Sequence, residues 1–414
     1  MNLSFSILLG VFLIIALRKI GGFPVKIWQA MLAGAFLVIL TGELHPLAAL
    51  QAIDWDVMVF LLGMFLVGEG FILSGYLRTL AYQTLQGIRS GQGLVAALLL
   101  IAGVGSALFM NDTLAIVGTP LVLQLAKEHR LDPRLLLITL AVAITTGSVM
   151  SPIGNPQNLL IAIQGPVPSP FLTFLQYLAI PTGLNLVVAF LVLRVMLPGA
   201  FHAEPLSHTP IPLADTSLAR LVQGSMVILA TGIGLKTMSV GMGWPLDIRL
   251  SALATGAALP ILLLSPHRLT LLRRVDWPTL IFFAAMFVLM ASVWKTGIFQ
   301  QWTARTQLDL QHVPSVLGFS IVLSQLISNV PLVALSLPLL GDGHSSVIAL
   351  MALAAGSTIA GNLLILGAAS NVIIIQRAEQ EGHSLTFWEF ARIGIPLTGL
   401  QTLIYAVYLG WLTG

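Results

Sequence analysis

Apolar residues occur along this chain in long runs that short polar segments separate. Eight of the runs are continuous, and their lengths are near the roughly 20 apolar residues that a helix needs to cross a bilayer. They cover residues 3–17, 25–42, 54–75, 169–197, 218–240, 249–265, 275–297 and 385–412. This pattern predicts an all-α polytopic membrane protein whose spans are joined by short loops.

Two further runs, 91–128 and 312–340, are too long for one crossing and have a polar segment in the middle. These segments are MNDT at 110–113 and SNVP at 328–331. Irregular backbone at membrane depth is tolerated only where it is buried in protein or lines a cavity. Each run is therefore predicted to form a re-entrant hairpin of two helices.

The last two runs, 131–164 and 345–376, contain residues that interrupt a helix. The first includes TTGSVMSPIGNPQN, with Pro152 and Pro156, and the second includes GSTIAGNLLILGAASN. Proline removes a backbone donor and clashes with the preceding turn. We therefore predict two broken helices, whose half-helix ends attract anions at N-termini and cations at free carbonyls.

The basic residues support this layout, because cytoplasmic loops of membrane proteins are rich in Lys and Arg. With ten spans, two hairpins and an external N-terminus, fifteen of the 19 Lys and Arg residues fall on the cytoplasmic side. Counting either hairpin as a full crossing destroys this bias. The charge distribution therefore favours hairpins that enter and leave on one side.

Three segments of the first half recur in the second half in the same order. DWDVMVFLLGMF from Asp54 aligns with DWPTLIFFAAMF from Asp276, at an offset of 222 residues. The hairpin turns align Asn111 with Asn329 at an offset of 218, and PIGNPQNLL aligns with ILGAASNVI at an offset of 213. The first Asp-Trp span runs inward and the second runs outward, so the repeats are inverted.

This arrangement predicts a first repeat at 1–200, a cytoplasmic linker at 201–217 and a second repeat at 218–414, with about five spans in each repeat. Inverted repeats are typical of transporters that carry a substrate site at the membrane midplane and expose it alternately to either side.

Composition excludes most other classes of protein. The chain is 57% hydrophobic and 8% charged, against roughly 25% charged residues in a soluble domain. It has no Cys, so it offers no thiolate metal site or nucleophile. A Walker motif is missing, and the basic residues are too scattered for a nucleic-acid surface. We expect no enzyme activity, no cofactor, no bound metal and no nucleic-acid partner.

Polar residues at the hairpin turns and the helix breaks form the candidate substrate site. Asn and Ser side chains also cross-link membrane helices without binding anything. A cluster repeated in both halves beside Pro and Gly favours binding over cross-linking, whereas Thr145, Thr146, Ser357 and Thr358 are weaker candidates. The predicted site comprises Asn111, Thr113, Gly154, Asn155, Asn158, Ser328, Asn329, Gly367, Ser370 and Asn371.

Two acidic residues are candidates for ion coupling. A carboxylate at membrane depth costs about 2.5–3.5 kcal/mol on insertion scales, so Asp112 should be paired, protonated or in contact with water. Glu69 lies near the inner end of its span, where it can also reach the interface. Asp54 and Asp276, each beside Trp at the start of a span, are interpreted as helix N-caps.

These motifs resemble the ion-transporter superfamily of arsenical pump membrane proteins, sodium/proton antiporters and divalent-anion/sodium symporters. NDTLAIVGTP at 111–120 is similar to the hairpin motif of the arsenical pump branch, and PIGNPQN at 152–158 to that of anion permeases. The resemblance implies a site enclosed by two hairpins and two broken helices. The symporters carry Ser-Asn-Thr at each turn, whereas this chain has Asn-Asp-Thr and Ser-Asn-Val.

Asp112 bears on the substrate class. A carboxylate about 4 Å from a bound anion is repelled by several kcal/mol at an effective dielectric near 20. Arsenite and antimonite are neutral trihydroxides near pH 7, so we expect a secondary transporter that exports them in exchange for protons. The alternative is a proton- or sodium-coupled symporter of an inorganic oxyanion or a carboxylate. A channel, a structural membrane protein and an intramembrane enzyme are less favoured readings.

The expected location is the plasma membrane of a bacterium or archaeon. The partners are a small inorganic substrate and the lipid bilayer, and the coupling ion is H⁺, with Na⁺ as the alternative. The resemblance also allows a soluble ATPase subunit and a homodimer.

Overall fold

The computed structural model describes residues 2–17, 19–20, 23–85, 87–198, 201, 214–244, 248–301, 309–340, 346–365 and 367–412. This part of the chain is almost entirely helical, which confirms the all-α fold class. In the first half the helices are α1 (Leu3–Leu17), α2 (Ile27–Leu40), α3 (Pro46–Ala52), α4 (Trp55–Ser74), α5 (Tyr76–Leu85), α6 (Gly91–Leu108), α7 (Asn111–His129), α8 (Pro133–Ser148), α9 (Pro156–Gln164) and α10 (Pro170–Met196). In the second half they are α11 (Thr216–Gly241), α12 (Leu250–Leu264), α13 (Arg268–Arg274), α14 (Trp277–Trp294), α15 (Val313–Ile327), α16 (Asn329–Leu340), α17 (Val347–Leu363), α18 (Ala369–Gln380) and α19 (Phe387–Trp411).

Six helices in the described part of the chain are long and apolar enough to cross a membrane on their own: α4, α6, α10, α11, α14 and α19. The other apolar helices have 10–17 residues. Several of them are short because the hairpin turns and helix breaks divide their apolar runs. The multi-pass membrane class predicted from hydropathy therefore agrees with the helices that form.

Some short elements were not predicted from the apolar runs. They are α3, α5, α13 and an antiparallel pair of two-residue strands, β1 (Lys19–Ile20) and β2 (Phe23–Pro24). All of them lie between apolar runs and are too short to cross a bilayer. Hydropathy over a span-length window does not detect such elements, because their few apolar residues are averaged with polar neighbours.

Both hairpin predictions correspond to paired helices. Helix α6 ends at Leu108 and α7 begins at Asn111, so two residues form the first turn. Helix α15 ends at Ile327 and α16 begins at Asn329, with Ser328 between them. In each case the two arms contact each other. The turns therefore lie where the polar segments at 110–113 and 328–331 placed them.

The two broken helices are also interrupted at the positions that their Pro and Gly residues predicted. Helix α8 stops at Ser148 and α9 resumes at Pro156. In the second half α17 stops at Leu363 and α18 resumes at Ala369. Helices α8 and α17 contact each other. The two unwound segments therefore belong to neighbouring helices.

Equivalent helices of the two halves make reciprocal packing contacts with the opposite half. Helix α2 packs on α14, and its repeat equivalent α12 packs on α4. Likewise α7 of the first hairpin packs on α18, and α16 of the second hairpin packs on α9. Each break therefore receives a hairpin arm from the other half, as a pseudo-twofold relation between inverted repeats requires.

The ends of the spans follow local rules. Asp54 Oδ1 accepts a hydrogen bond from Val57 N (3.0 Å), and Asp276 Oδ1 accepts one from Thr279 N (3.1 Å), so both residues are N-caps. An oxygen at this position satisfies an otherwise unpaired helical N–H. Most of the predicted linker, residues 202–213 of 201–217, lies outside the described residues, and α11 begins at Thr216.

Candidate functional site

The unwound segment of the first half is held by its own asparagines. Asn155 caps α9, because its Oδ1 accepts a hydrogen bond from Asn158 N (2.9 Å). The Asn158 amide nitrogen lies within hydrogen-bonding distance of the carbonyl oxygens of Ser148 (3.1 Å), Val149 (3.3 Å) and Ser151 (3.0 Å). These carbonyls are freed by the break, so Asn158 replaces the helical partners they have lost.

The turn of the first hairpin docks on this segment. The backbone N–H of Asn111 donates to the Gly154 carbonyl (3.0 Å), and the Asn111 side chain contacts the Ser148 hydroxyl (3.2 Å). Asn155 Nδ2 donates to the same hydroxyl at 3.0 Å. A side chain at Gly154 would place its Cβ 2.5 Å from the Ser106 carbonyl oxygen, so only glycine allows this approach.

Thr358 of the second half completes the hydrogen bonds of this segment. Its hydroxyl accepts from Asn155 Nδ2 (3.3 Å) and donates to Asn158 Oδ1 (3.3 Å). Gln157, which was not among the predicted site residues, also donates to Thr358 Oγ1 at 3.4 Å. The polar groups of the first break are thus largely satisfied by protein.

The second break is capped less completely. Ala368 occupies the position equivalent to Asn155, and no side chain caps α18. Asn371 Nδ2 donates to the Gly361 carbonyl (2.7 Å). Among the described residues, the buried oxygens without a partner include Asn371 Oδ1 and Ser370 Oγ at this break and Asn329 Oδ1 at the turn of the second hairpin. Buried polar groups normally have partners, so this half retains hydrogen-bonding capacity for a ligand.

Glycine also fits the second break. A Cβ at Gly367 would lie 2.8 Å from the Ala360 carbonyl oxygen and 3.0 Å from the Leu364 carbonyl oxygen. At the hairpin turn, Ser328 has φ 70° and ψ 156°, a region that residues other than glycine rarely adopt. Such strain is concentrated at binding and switching sites in proteins.

A cavity of about 410 Å³ lies between the two hairpin turns. Asp112 of the first hairpin and Ser328 of the second both line it. Pro156 and Ala369, the first residues of α9 and α18, line it as well. The remaining lining residues are Val25, Lys26, Ile27, Trp28, Pro278, Thr279, Phe282, Phe283, Val330, Val372 and Gln376. Among these described residues Asp112 is the carboxylate and Lys26 the cation.

Of the twelve predicted site residues, Asp112 and Ser328 line the cavity, and the other ten lie outside its wall. Eight of these ten belong to the hairpin turns and breaks described above, and Thr113 and Glu69 lie on or against α4. Thr113 is buried against α4, where a Cβ at Gly68 would lie 2.8 Å from its Oγ1. Glu69, the next residue of α4, is within electrostatic range of Arg274, Arg377 and Asp276. Thr113 therefore packs two helices together, and Glu69 belongs to a charged group at one end of α4.

The cavity lies near one end of α4, and a side-chain contact between α9 and Asp54 lies at the other end. At its start, Gln164 at the end of α9 donates from Nε2 to Asp54 Oδ2 (2.9 Å). At its other end, Ser74 O accepts from the backbone of Ala214 and Asp215, and Asp215 pairs with His267 just before α13. Helix α13 leads directly into Asp276, so Asp276 and the cavity-lining residues that follow it lie at this second end.

Sequence reasoning missed a second buried polar group beside the breaks. Asn362 Nδ2 donates to Thr146 Oγ1 and to Gln401 Oε1, both at 3.0 Å, and Gln401 Nε2 contacts Thr146 Oγ1 at 2.9 Å. Asn362 lies in the GSTIAGN stretch that marked the break, which was a usable signal. Gln401 lies in the last apolar span, outside the predicted hairpin turns and breaks, and gave no comparable signal.

No group of three or more His, Asp or Glu side chains that could hold a metal ion occurs in the parts of the chain that the structure covers. The site consists instead of carboxamides, hydroxyls, one carboxylate and helix ends.

Comparison with known proteins gives a consistent picture. The sequence profile of the CitMHS citrate transporter family matches residues 11–343. An uncharacterized transporter of Mycobacterium tuberculosis (strain CDC 1551 / Oshkosh) is 28% identical over 375 residues, 87% of this chain and 86% of that protein. The silicon efflux transporter of Oryza sativa subsp. japonica is 26% identical over 98% of this chain and 97% of its own. The YdaH transporter of Alcanivorax borkumensis has a similar fold, with a TM-score of 0.58 at 16% identity over 99% of this chain and 97% of that one.

Proposed function

This chain belongs to the CitMHS citrate transporter family, and from that premise we propose that it exports neutral hydroxides of metalloids, namely arsenite or antimonite, in exchange for protons. The observation that carries this proposal is the cavity in which Asp112 and Ser328 meet from opposed hairpins. The resemblance to the arsenical pump branch at 111–120 and a relative named for silicon efflux agree with a substrate of this class.

The donors and acceptors around the cavity suit such a substrate. A neutral trihydroxide offers several O–H donors and lone pairs. Asn329, Ser370 and Asn371 do not line the cavity themselves but directly adjoin wall residues in the chain, and they have buried oxygens without protein partners. A neutral substrate also avoids the repulsion that Asp112 would impose on an anion. Asp112 can then carry the exchanged proton, since it is the carboxylate in the described cavity wall.

The asymmetry of the two ends supports alternating access. Gln164 contacts Asp54 at one end of α4. Their repeat equivalents are Arg377 and Asp276, at offsets of 213 and 222 residues. Among the described contacts, the Asp276 carboxylate accepts hydrogen bonds from Thr279 and makes none with Arg377. The cavity lies at the end where the equivalent pair is apart. Closing that end by joining Arg377 to Asp276, while Gln164 leaves Asp54, would expose the site to the other side.

A second candidate is a proton- or sodium-coupled anion symporter. The uncapped N-terminus of α18 and Lys26 in the cavity wall both favour a negative group. The family name, citrate transporter, points the same way. In this case a cation at Asp112 would have to offset the repulsion between the carboxylate and the substrate.

Flux into proteoliposomes distinguishes the two candidates. The purified protein is assayed with arsenite, antimonite, sulfate, phosphate and citrate, in sodium and sodium-free buffer, at two pH values. Arsenite flux that follows the proton gradient and ignores sodium supports export by proton exchange. Sodium-dependent flux of an anion, with no arsenite flux, overturns it in favour of the symporter. Both candidates are carriers, so saturable counterflow is expected in both cases. A channel would not show it, because a channel cannot stimulate its own flux by exchange.

A further inference from the structure

A second cavity lies on the lipid-facing side of the first hairpin. It has a volume of about 390 Å³ and is lined by apolar residues and glycines of α5, α6 and α7, together with Phe109 of the hairpin turn and Leu140 of α8. Leu80, Leu100, Val104 and Leu108 on its rim are exposed by 41–60%. We call this cavity the hairpin groove. It is distinct from the cavity that contains Asp112, and none of the residues lining it is charged.

The length of the hairpin groove matches one lipid tail. Its wall on α6 runs from Leu98 to Leu108, which is about 15 Å at the helical rise of 1.5 Å per residue. This is roughly half of the 30 Å hydrocarbon core of a bilayer, so the groove extends over about one leaflet.

An arginine lies next to the wall of the hairpin groove on α5. Arg78 lies on α5 beside Leu77, a residue of the groove wall, and its Nη2 donates to Gln124 Oε1 at 3.1 Å. Gln124 lies one turn beyond Leu121 of the wall and also donates to Glu128 Oε1 (2.7 Å). The Arg78 side chain is only partly buried. A guanidinium has five N–H donors, and the outer ones that Gln124 does not use are well suited to a phosphate oxygen.

We propose that the hairpin groove binds one acyl chain of an anionic phospholipid whose phosphate pairs with Arg78. The apolar lining excludes a polar ligand, and the cation next to the wall selects a negative headgroup over a zwitterionic one. Since the groove wall is formed by both arms of the hairpin that carries Asp112, a bound lipid contacts the element that shapes the substrate cavity. This inference does not depend on which substrate is carried.

Lipid retention measured by native mass spectrometry tests the proposal. The detergent-purified protein is incubated with phosphatidylglycerol or phosphatidylcholine of the same chain length. We expect the wild-type protein to retain phosphatidylglycerol about fivefold better, since one basic residue near a membrane surface contributes about 1 kcal/mol. Arg78→Gln should abolish this preference, and the exposed Arg89, in the loop before α6, supplies the matched control Arg89→Gln, which should keep it.

A second variant tests the tail. Gly105 lies on the groove wall, and a Cβ there would meet only Leu114, at an ordinary 3.4 Å. Gly105→Phe should fill the groove and abolish retention of both lipids, whereas Gly183→Phe, on an open surface of α10, should not.

Three outcomes overturn the proposal. They are equal retention of the two lipids by the wild-type protein, an unchanged preference in Arg78→Gln, and a protein dimer that Gly105→Phe dissociates, which would assign the groove to a second copy of the chain. If Gly105→Phe fails to fold, as judged by gel filtration, the comparison of Arg78→Gln with Arg89→Gln still decides.

Discussion

Asn158 and Asn371 are equivalent in the two repeats, but their side chains have different partners. Asn158 lies within hydrogen-bonding distance of three backbone carbonyls and accepts from Thr358. Asn371 donates to Gly361, and its Oδ1 has no partner. The first break is therefore closed by its own side chains together with Thr358, whereas the second retains an unpartnered acceptor.

This difference predicts opposite phenotypes for the two alanine variants. Asn158→Ala leaves buried carbonyls unpaired, so it should lower the free energy of unfolding by about 1–3 kcal/mol. Asn371→Ala loses one hydrogen bond and should cost about 1 kcal/mol, but it should reduce substrate flux strongly. Thermal unfolding in detergent and proteoliposome flux check both. Normal flux by folded Asn371→Ala would remove this residue from the substrate site.

Asp112→Asn should abolish proton-coupled exchange while the protein remains folded. The amide is nearly isosteric with the carboxyl group but cannot exchange a proton. Flux is compared with the wild-type protein under an imposed pH gradient, and the unfolding temperature is measured in parallel. Ser328→Ala is a useful companion, because it alters the same cavity without removing a carboxylate. Wild-type exchange rates in Asp112→Asn would eliminate the proton-carrier role.

The contact between α9 and Asp54, which the proposed mechanism breaks in the opposite state, can be trapped with engineered cysteines. The sequence contains no cysteine of its own that would interfere. Asp54→Cys with Gln164→Cys should cross-link readily and hold the cavity open at the Asp276 end. Asp276→Cys with Arg377→Cys should cross-link only in the opposite state. Each cross-link should block flux, and reduction should restore it.

A cysteine placed at Val372, in the cavity wall, reports by its accessibility whether the cavity is open at the Asp276 end. Membrane-impermeant maleimide should label it when the first pair is cross-linked and fail when the second pair is. Formation of both cross-links in one molecule at the same time would contradict the alternating scheme.

The close approach of α6 and α8 predicts a sharp contrast between two glycines. A Cβ at Gly147 would lie 2.1 Å from the Gly103 carbonyl oxygen, so Gly147→Ala must separate the helices and should cost about 1–3 kcal/mol. Gly183 on α10 has no neighbour within 4 Å, and Gly183→Ala should gain about 0.5–1 kcal/mol of helix propensity. Thermal unfolding of both variants checks this, and equal effects would rule out the tight crossing.

The start of α11 should contribute to stability in a pH-dependent way. The backbone N–H of Leu218 and the Ser217 hydroxyl hold the pKa of Asp215 below its usual value, with smaller contributions from the Ser217 N–H and from His267. Stability from this carboxylate is therefore present above the unfolded pKa of about 3.9 and is lost as the pH falls through the lower folded pKa.

Asp215→Asn keeps an N-cap oxygen but not the charge. The stability advantage of the wild-type protein over this variant should shrink as the pH is lowered from 6 to about 3, as measured by thermal unfolding. A difference that is constant with pH would contradict this role for the carboxylate.

The sequence by itself determined the fold class, the two hairpins, the two broken helices and the repeat that relates them. These features depend on local properties: apolar runs of span length, Pro and Gly within such runs, and Asn at matching positions. It also identified Asp54 and Asp276 as N-caps, because capping involves residues only three positions apart.

Only the tertiary structure decided which polar residues are satisfied and which remain open to a ligand. Asn155 and Asn158 are completed by Thr358, about 200 residues away in the chain, and no local pattern predicts that contact. The position of Asp112 and Ser328 in the wall of one cavity likewise depends on the packing of the two halves against each other. Hydropathy and spacing report what a segment can form, whereas hydrogen-bond satisfaction depends on neighbours that folding brings from elsewhere in the chain.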